Sequence, residues 1–403
     1  MIIPPISSLP LALFPTAILL PMSVADMLWH GKRFSQQLYV VAFLLTYAIV
    51  CSKFYYGTDV CIYTAIYDTI ESPIEVLKGN SAHEYARFFL FVTSLCKSLH
   101  FNFWAYTVLL TTIYFAAIAP LFQKIQKHKV FALFVLCYMD VNLIFFEFRE
   151  TLSVALIIFA YLSLEKKHYP SFCLLCALSA LSHKSAIFCV GIFLIAILLS
   201  RKPISKSSYA ATIILMISSI VFTLSTIAIF LLKFLPAATS AQASILHHFS
   251  YPRRIQTIYV LYVLWGVYLY FHHKDSTSSP FTATLVLIFT LIIAFTYEHW
   301  FFIARFRSYF LPIMIVYALN MEGEQTRNKQ ISSVLLVIVI YLHALIFSRG
   351  FWVSNYISTS HINDTSTIFD LRHKTEEQIR RENERKAGLF FKYEYQVDHI
   401  NQD

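Results

Sequence analysis

Apolar runs long enough, or nearly long enough, to cross a bilayer follow one another through most of this chain, at roughly 9–28, 38–55, 103–121, 130–146, 151–164, 169–182, 186–199, 209–232, 256–271, 281–297, 301–319 and 331–347. A span needs ~20 apolar residues, and no single soluble core has a use for about twelve such runs in 403 residues. The sequence therefore predicts an all-α polytopic integral membrane protein of about twelve transmembrane helices. Composition agrees, since the chain is 57% hydrophobic and only 14% charged, against about a quarter charged in soluble domains. Several runs fall short of a full span. Charged residues at their ends then lie below the water surface, or the helices reach past the apolar stretch.

Lys and Arg in short loops set the orientation. The alternating set "HGKRF", "QKIQKHK", "EKKH", "RKPISK", "HHKD" and "EQTRNK" carries a base in every loop and is placed in the cytoplasm, which puts both termini outside. The outer set still holds Arg149, Lys184, Lys233, Arg253, Arg254, Arg305 and Arg307, with four more bases between 53 and 102. Positive charge is disfavoured on that side, so those bases need a reason of their own.

"SAHEYARFFLFVTSLCKSLH", 81–100, opens with a Ser81 to Glu84 capping box and sets Tyr85, Phe88, Val92, Leu95 and Leu99 along one stripe. It is expected to lie at the outer interface, inside a periplasmic loop over 57–102. The alternative is a crossing, which would move "QKIQKHK" and every later Lys-rich loop outside. The transmembrane domain is expected over 1–348. After it comes a polar, charged tail, 349–403, in which "TEEQIRRENERKAG" reads as a short helix. That helix has a Thr375 to Gln378 capping box, Glu376/Arg380 and Glu377/Arg381 pairs, and Gly388 as its stop. It is expected to be solvated, with docking on a partner as the alternative.

Several chemistries are excluded. The chain has no Walker loop, no dinucleotide-binding glycine pattern, no HExxH and no GxSxG elbow. Its seven cysteines are scattered, and Cys173 with Cys176 has no second ligand pair nearby, so neither a zinc site nor a disulfide framework is expected. "NDT" at 363–365 fits a glycosylation sequon, a pattern common by chance. The net charge of +9 suits inner loops facing anionic lipid rather than nucleic acid.

Depth gives the outer bases a pattern. Arg149 lies 17 residues before Lys166, His183 lies 16 after Lys167, and Arg305 lies 17 before Glu322. At 1.5 Å per residue each stands ~25 Å above the inner boundary, just under the outer surface of a ~30 Å core. Arg253, Arg254 and Asp59 fall nearer the water on the same face, while Glu147 and Glu150 flank Arg149. Any one of these cations reads equally well as a snorkelling side chain. Taken together, the cations, the carboxylates and a histidine at one depth suggest a cavity for a polyanion at the outer face.

The order of "YYGTDVCIY", "FRETLSVALIIFAYLSLEKKHYPSFCLLCALSALSHKSAIF" and "IARFRSYF" resembles the EpsG family of Wzy-type polysaccharide polymerases over about residues 38–320. The matching positions are Gly57, Asp59 and Tyr63, then Arg149, then His183, then Arg305 with Tyr309 and Phe310. Lys53 stands where the family pattern has Arg, which keeps the charge but loses the two-pronged phosphate geometry.

The resemblance implies a glycosyltransferase-C-like helical bundle with a periplasmic cavity, in the bacterial inner membrane. Such an enzyme transfers a growing glycan from undecaprenyl diphosphate to a sugar hydroxyl of the next lipid-linked repeat unit. No cofactor and no metal are implied. The implied partners are the lipid-linked oligosaccharide, membrane lipid, and a chain-length regulator and flippase of the same pathway.

On that reading Arg149 and Arg305 bind diphosphate, supported by Arg307 and Lys184. His183 is the first candidate base and Asp59 the second. Glu150 or Glu147 orients Arg149 or holds the acceptor, and Tyr63, Tyr309 and Lys53 contact substrate. The rivals are an O-antigen ligase or membrane acyltransferase, a flippase or exporter, and a non-catalytic scaffold. A flippase should carry polar residues through mid-span, where this chain has few beyond Asp140 and Asn142.

Overall fold

The computed structural model describes residues 14–28, 32–54, 59–79, 86–145, 147–200, 206–218, 279–296, 300–320 and 371–385, and among them the chain is helical with no strand. It divides into two compact units, Met1–Ile187 with Ser348–Asp403, and Phe188–Phe347.

In the first unit a π-helical turn, Pro15–Leu19, runs into α1 (Leu20–Leu28) and is followed by α2 (Lys32–Cys51). Three short helices come next: α3 (Asp59–Thr69), α4 (Pro73–Lys78) and α5 (Arg87–Ser98). Ser72 caps α4, Pro73 opens it, and Gly79 closes it in the left-handed region at φ 82, where other residues would be strained. At twelve residues α5 is ~18 Å long, well short of a ~30 Å hydrocarbon core. Then follow α6 (Phe103–Gln123), capped by the Asn102 side chain accepting from Ala105 N at 2.8 Å, α7 (Lys129–Met139), α8 (Val141–Phe145), α9 (Phe148–Glu165) and α10 (Tyr169–Ser182).

The centre of this unit is α9, whose residues from Thr151 to Ile158 are all buried. It is enclosed on every side over that stretch, and α6 and α10 pack on it. On α2 and α10, by contrast, Val40, Val41, Leu44, Leu174 and Leu181 are exposed, as lipid-facing helices require. By length and composition, two helices among the described residues are able to cross a membrane, Arg33–Cys51 and Phe103–Gln123. The architecture is compatible with a membrane protein.

Side-chain contacts sort the helix ends into two sets. At one end Asp26, buried, accepts from Ser35 Oγ at 2.5 Å and from the backbone N–H of Val130 at the start of α7. There too Lys124 meets Glu165, which also accepts from Tyr161 at 2.8 Å. The other end gathers α3 to α5 and the starts of α6 and α9. Trp104 Nε1 donates to Cys51 O at 2.8 Å, Tyr67 OH to Phe101 O, and Lys97 to Asp68 O at 2.7 Å.

The apolar run at 130–146 is not one helix. It breaks at Asp140 (φ −113, ψ 34), a poor helix former buried in the middle of the run. Carbonyls freed at the end of α8 are taken up by Thr151 Oγ1, which donates to Leu143 O at 2.6 Å, and by Lys53 Nζ, which donates to Ile144 O at 2.8 Å.

Residues 376–385 form the last described helix, α15. Its capping box is present: Gln378 Oε1 accepts from Thr375 N at 2.8 Å and Thr375 Oγ1 from Gln378 N at 3.3 Å. Arg381 pairs with Glu377 at 2.9 Å. The expectation of a solvated helix does not hold, because Ile379 is fully buried in the cluster that contains α3. Ile379 is the one apolar side chain between 375 and 385, so no stripe announces the docked face. Gly388 lies outside the described residues.

The second unit contains α11 (Ser185–Leu199) from Phe188 onward, α12 (Lys206–Ser218), α13 (Pro280–Thr296) and α14 (Trp300–Asn320). The ring of Phe310 packs between Phe289 at 4.7 Å and Phe193 at 5.9 Å, tying α14 to α13 and α11. Most of the predicted run at 209–232, and all of those at 256–271 and 331–347, lie outside the described residues.

Candidate functional site

Phe148 opens α9 and is the anchor of the charged cluster. Its buried ring meets Tyr63 of α3 at 5.4 Å and Phe103 of α6 at 6.1 Å, with the Lys53 ammonium 4.9 Å from its centre. Arg149 and Glu150 follow in the first turn, Arg149 half-buried and Glu150 buried. A carboxylate suits a helix N-terminus and an arginine does not, so Arg149 stands there against the helix dipole. Glu147, half-buried, occupies the N-cap position, and its carbonyl accepts from Thr151 N at 2.8 Å.

Depth is set one turn further in. Ser153 of α9 and Ser179 of α10 lie hydroxyl to hydroxyl at 2.8 Å, and each hydroxyl also reaches the other's carbonyl oxygen, at 3.0 and 2.9 Å. Both are fully buried, and their small side chains let the helices approach closely. Arg149 comes four residues before Ser153, and His183 four residues after Ser179. In an antiparallel hairpin both therefore stand ~6 Å beyond the serine pair, at one level. His183 ends α10 with extended backbone, is buried, and donates its N–H to Ser179 O at 3.0 Å. Lys184 beside it is exposed.

The first-loop helix leans on the same end. Asp59 begins α3 half-buried, and one turn later Tyr63 is buried between Phe148 and Phe89, the latter at 5.7 Å. Gly57 lies outside the described residues. Lys53, just past the end of α2, is buried, and burial pulls its pKa down to about 7, opposed by the nearby Cys51. A narrow crevice with room for little more than one water molecule lies beside it, lined by Phe54, Val60, Trp104, Thr107 and Phe148.

The remaining candidates belong to the second unit. Arg307 and Tyr309 are buried in α14, Tyr309 completely. Arg305 lies on the same helix, its side chain outside the described residues, as are Lys233, Arg253 and Arg254. Thus the structure gathers Arg149, Glu150, His183, Lys53, Asp59 and Tyr63 in one unit and holds Arg307 and Tyr309 in the other. Among the described residues no group of three or more His, Cys, Asp or Glu is placed to hold a metal ion. Sequence reasoning missed Phe148, Ser153 and Ser179. The signal for the serines was present, as two small polar residues, each one turn inward from a candidate residue on consecutive helices.

A family model, that of the EpsG family, matches residues 37–365, most of the chain. No curated protein and no solved structure matches it.

Proposed function

The chain belongs to the EpsG family of polysaccharide polymerases, and from that premise we propose that it extends glycans carried on undecaprenyl diphosphate, at the periplasmic face of the bacterial inner membrane. The observation that carries this reading is the α9–α10 hairpin, which sets Arg149, Glu150 and His183 at one level at its end.

In the transfer, a hydroxyl oxygen of the incoming lipid-linked unit attacks the anomeric carbon of the growing glycan. The bond from that carbon to the diphosphate oxygen breaks, and the leaving diphosphate takes the electron pair. Arg149 meets the charge that develops there through two parallel N–H donors, and Arg305, with Arg307 and Lys184, supports it. The acceptor's proton passes to His183 as a neutral imidazole, or to the Asp59 carboxylate. Glu150 or Glu147 orients Arg149 or holds the acceptor, while Tyr63 and Lys53 pack against Phe148 behind them. The diphosphate linkage carries the driving force, so neither nucleotide nor metal is needed.

The test is reconstitution. The purified chain in liposomes, given only undecaprenyl-diphosphate-linked repeat units and a chelator, should build a ladder of glycans and release undecaprenyl diphosphate. Repeat units that stay unjoined under these conditions would overturn the reading.

A further inference from the structure

The family match ends at residue 365, yet the helix at 376–385 is built into the support of the candidate site. Ile379 is fully buried in the cluster that also holds Val60, Tyr63, Ile66 and Phe148. Asn383 Nδ2 lies 3.1 Å from Cys61 Sγ, and the Arg380 guanidinium lies 2.7 Å from Asp68 Oδ2. Cys61 and Asp68 are seven residues apart, two turns along one face of α3. Asn383 and Arg380 meet them in reverse order, so α15 runs antiparallel to α3. An eleven-residue helix does not hold its shape alone. Tyr63 secures α3 inward, against Phe148 and Phe89, and α15 covers the face that carries Cys61 and Asp68.

We propose that the C-terminal helix is an intramolecular clasp that positions α3, keeping Asp59 and Tyr63 at the front of α9, with Ile379, Arg380 and Asn383 as the positioning residues. Its consequence for catalysis rests on the polymerase reading; the clasp itself does not.

Cys61 is a built-in reporter. Burial, then the Glu384 carboxylate, pushes its thiol up to about 11, so the thiolate that a maleimide captures is scarce while the helix is docked. The experiment uses the full-length protein, as wild type, Ile379→Glu, Arg380→Glu, and Arg380→Glu combined with Asp68→Arg. Maleimide labelling of Cys61 is followed by peptide mass spectrometry, and polymer formation is measured alongside.

The single variants should label Cys61 roughly tenfold faster and polymerise roughly tenfold to a hundredfold slower, with binding of lipid-linked substrate kept. The reversed pair should restore both. Unchanged labelling in Arg380→Glu and Ile379→Glu would overturn the clasp, and faster labelling with an undiminished polymerisation rate would overturn its positioning role. If labelling responds and is rescued while the wild type makes no polymer, the polymerase reading falls and the catalytic part of the proposal with it.

Discussion

Ser153 and Ser179 each reach the other's backbone carbonyl across the α9–α10 interface, with their hydroxyls 2.8 Å apart. Two hydroxyl protons thus meet two carbonyl acceptors in the interior of a helix pair. The contact fixes how far α10 slides along α9, and so fixes the level of His183 relative to Arg149.

Removing one hydroxyl while keeping the small side chain should be mild. Ser153→Ala or Ser179→Ala should cost about 1 kcal/mol and leave polymer formation nearly intact. Ser179→Leu forces bulk into a closed interface, costs about 1–3 kcal/mol, and should abolish polymer by displacing His183. Unfolding temperature in detergent, read beside glycan ladders, separates the two effects. A Ser179→Leu protein with normal ladders would show that the register does not matter.

Lys53 gives a pH signature. Above about pH 7 the folded chain holds it neutral, whereas in the unfolded chain it keeps its proton up to its ordinary value of 10.5. Between those values the unfolded state binds more protons, so this group makes stability rise with pH, and below about 7 the penalty of burying the charge is present in full. Melting temperature of the purified protein from pH 6 to 9 should climb in wild type and climb less in Lys53→Met. Equal slopes would mean that Lys53 is not desolvated.

Orientation is open to direct measurement. Reporter fusions after Lys129, Lys167 and Lys202 should read cytoplasmic, and those after Gly57, Lys184 and Asn355 periplasmic, as the Lys-rich loops require. A cytoplasmic signal at Lys184 would place the hairpin end on the wrong side for a periplasmic substrate.

The proton acceptor is resolved by comparing two variants. His183→Ala should bind lipid-linked repeat unit but transfer it at least 10²-fold more slowly. If His183→Ala works at the wild-type rate and Asp59→Asn does not, the carboxylate is the base.

Much of this was legible in the residues. The apolar runs mark α2, α6, α9 and α10, and the spacing from Lys166 and Lys167 puts Arg149 and His183 at one depth, the level that the serine pair gives them. The break at Asp140 was hidden because a single polar residue barely dents the hydropathy of the run, and the early end of α8 beyond it was hidden because its freed carbonyls are met by side chains outside the run, Lys53 and Thr151. The docking of 376–385 was hidden because it depends on one isoleucine and on partners more than 300 positions away, Asn383 reaching back to Cys61. Lys53 read as a substrate contact, yet the structure gives its ammonium a carbonyl of this chain, Ile144 O, as partner. Tertiary pairings of that kind leave no local pattern.

Arg149 carries the central claim, and its chemistry separates the two ways of reading it. A guanidinium that grips a leaving diphosphate uses two N–H donors in a fixed fork, which lysine lacks; a cation that only snorkels to headgroups is replaced by lysine without loss. The decisive measurement is the surface glycan ladder of cells that make wild type, Arg149→Ala or Arg149→Lys at equal protein level. Single repeat units from Arg149→Ala, with Arg149→Lys impaired roughly a hundredfold despite its kept charge, are expected. Full-length ladders from Arg149→Lys would reduce Arg149 to a headgroup anchor, and full-length ladders from Arg149→Ala would contradict a site at the end of this hairpin.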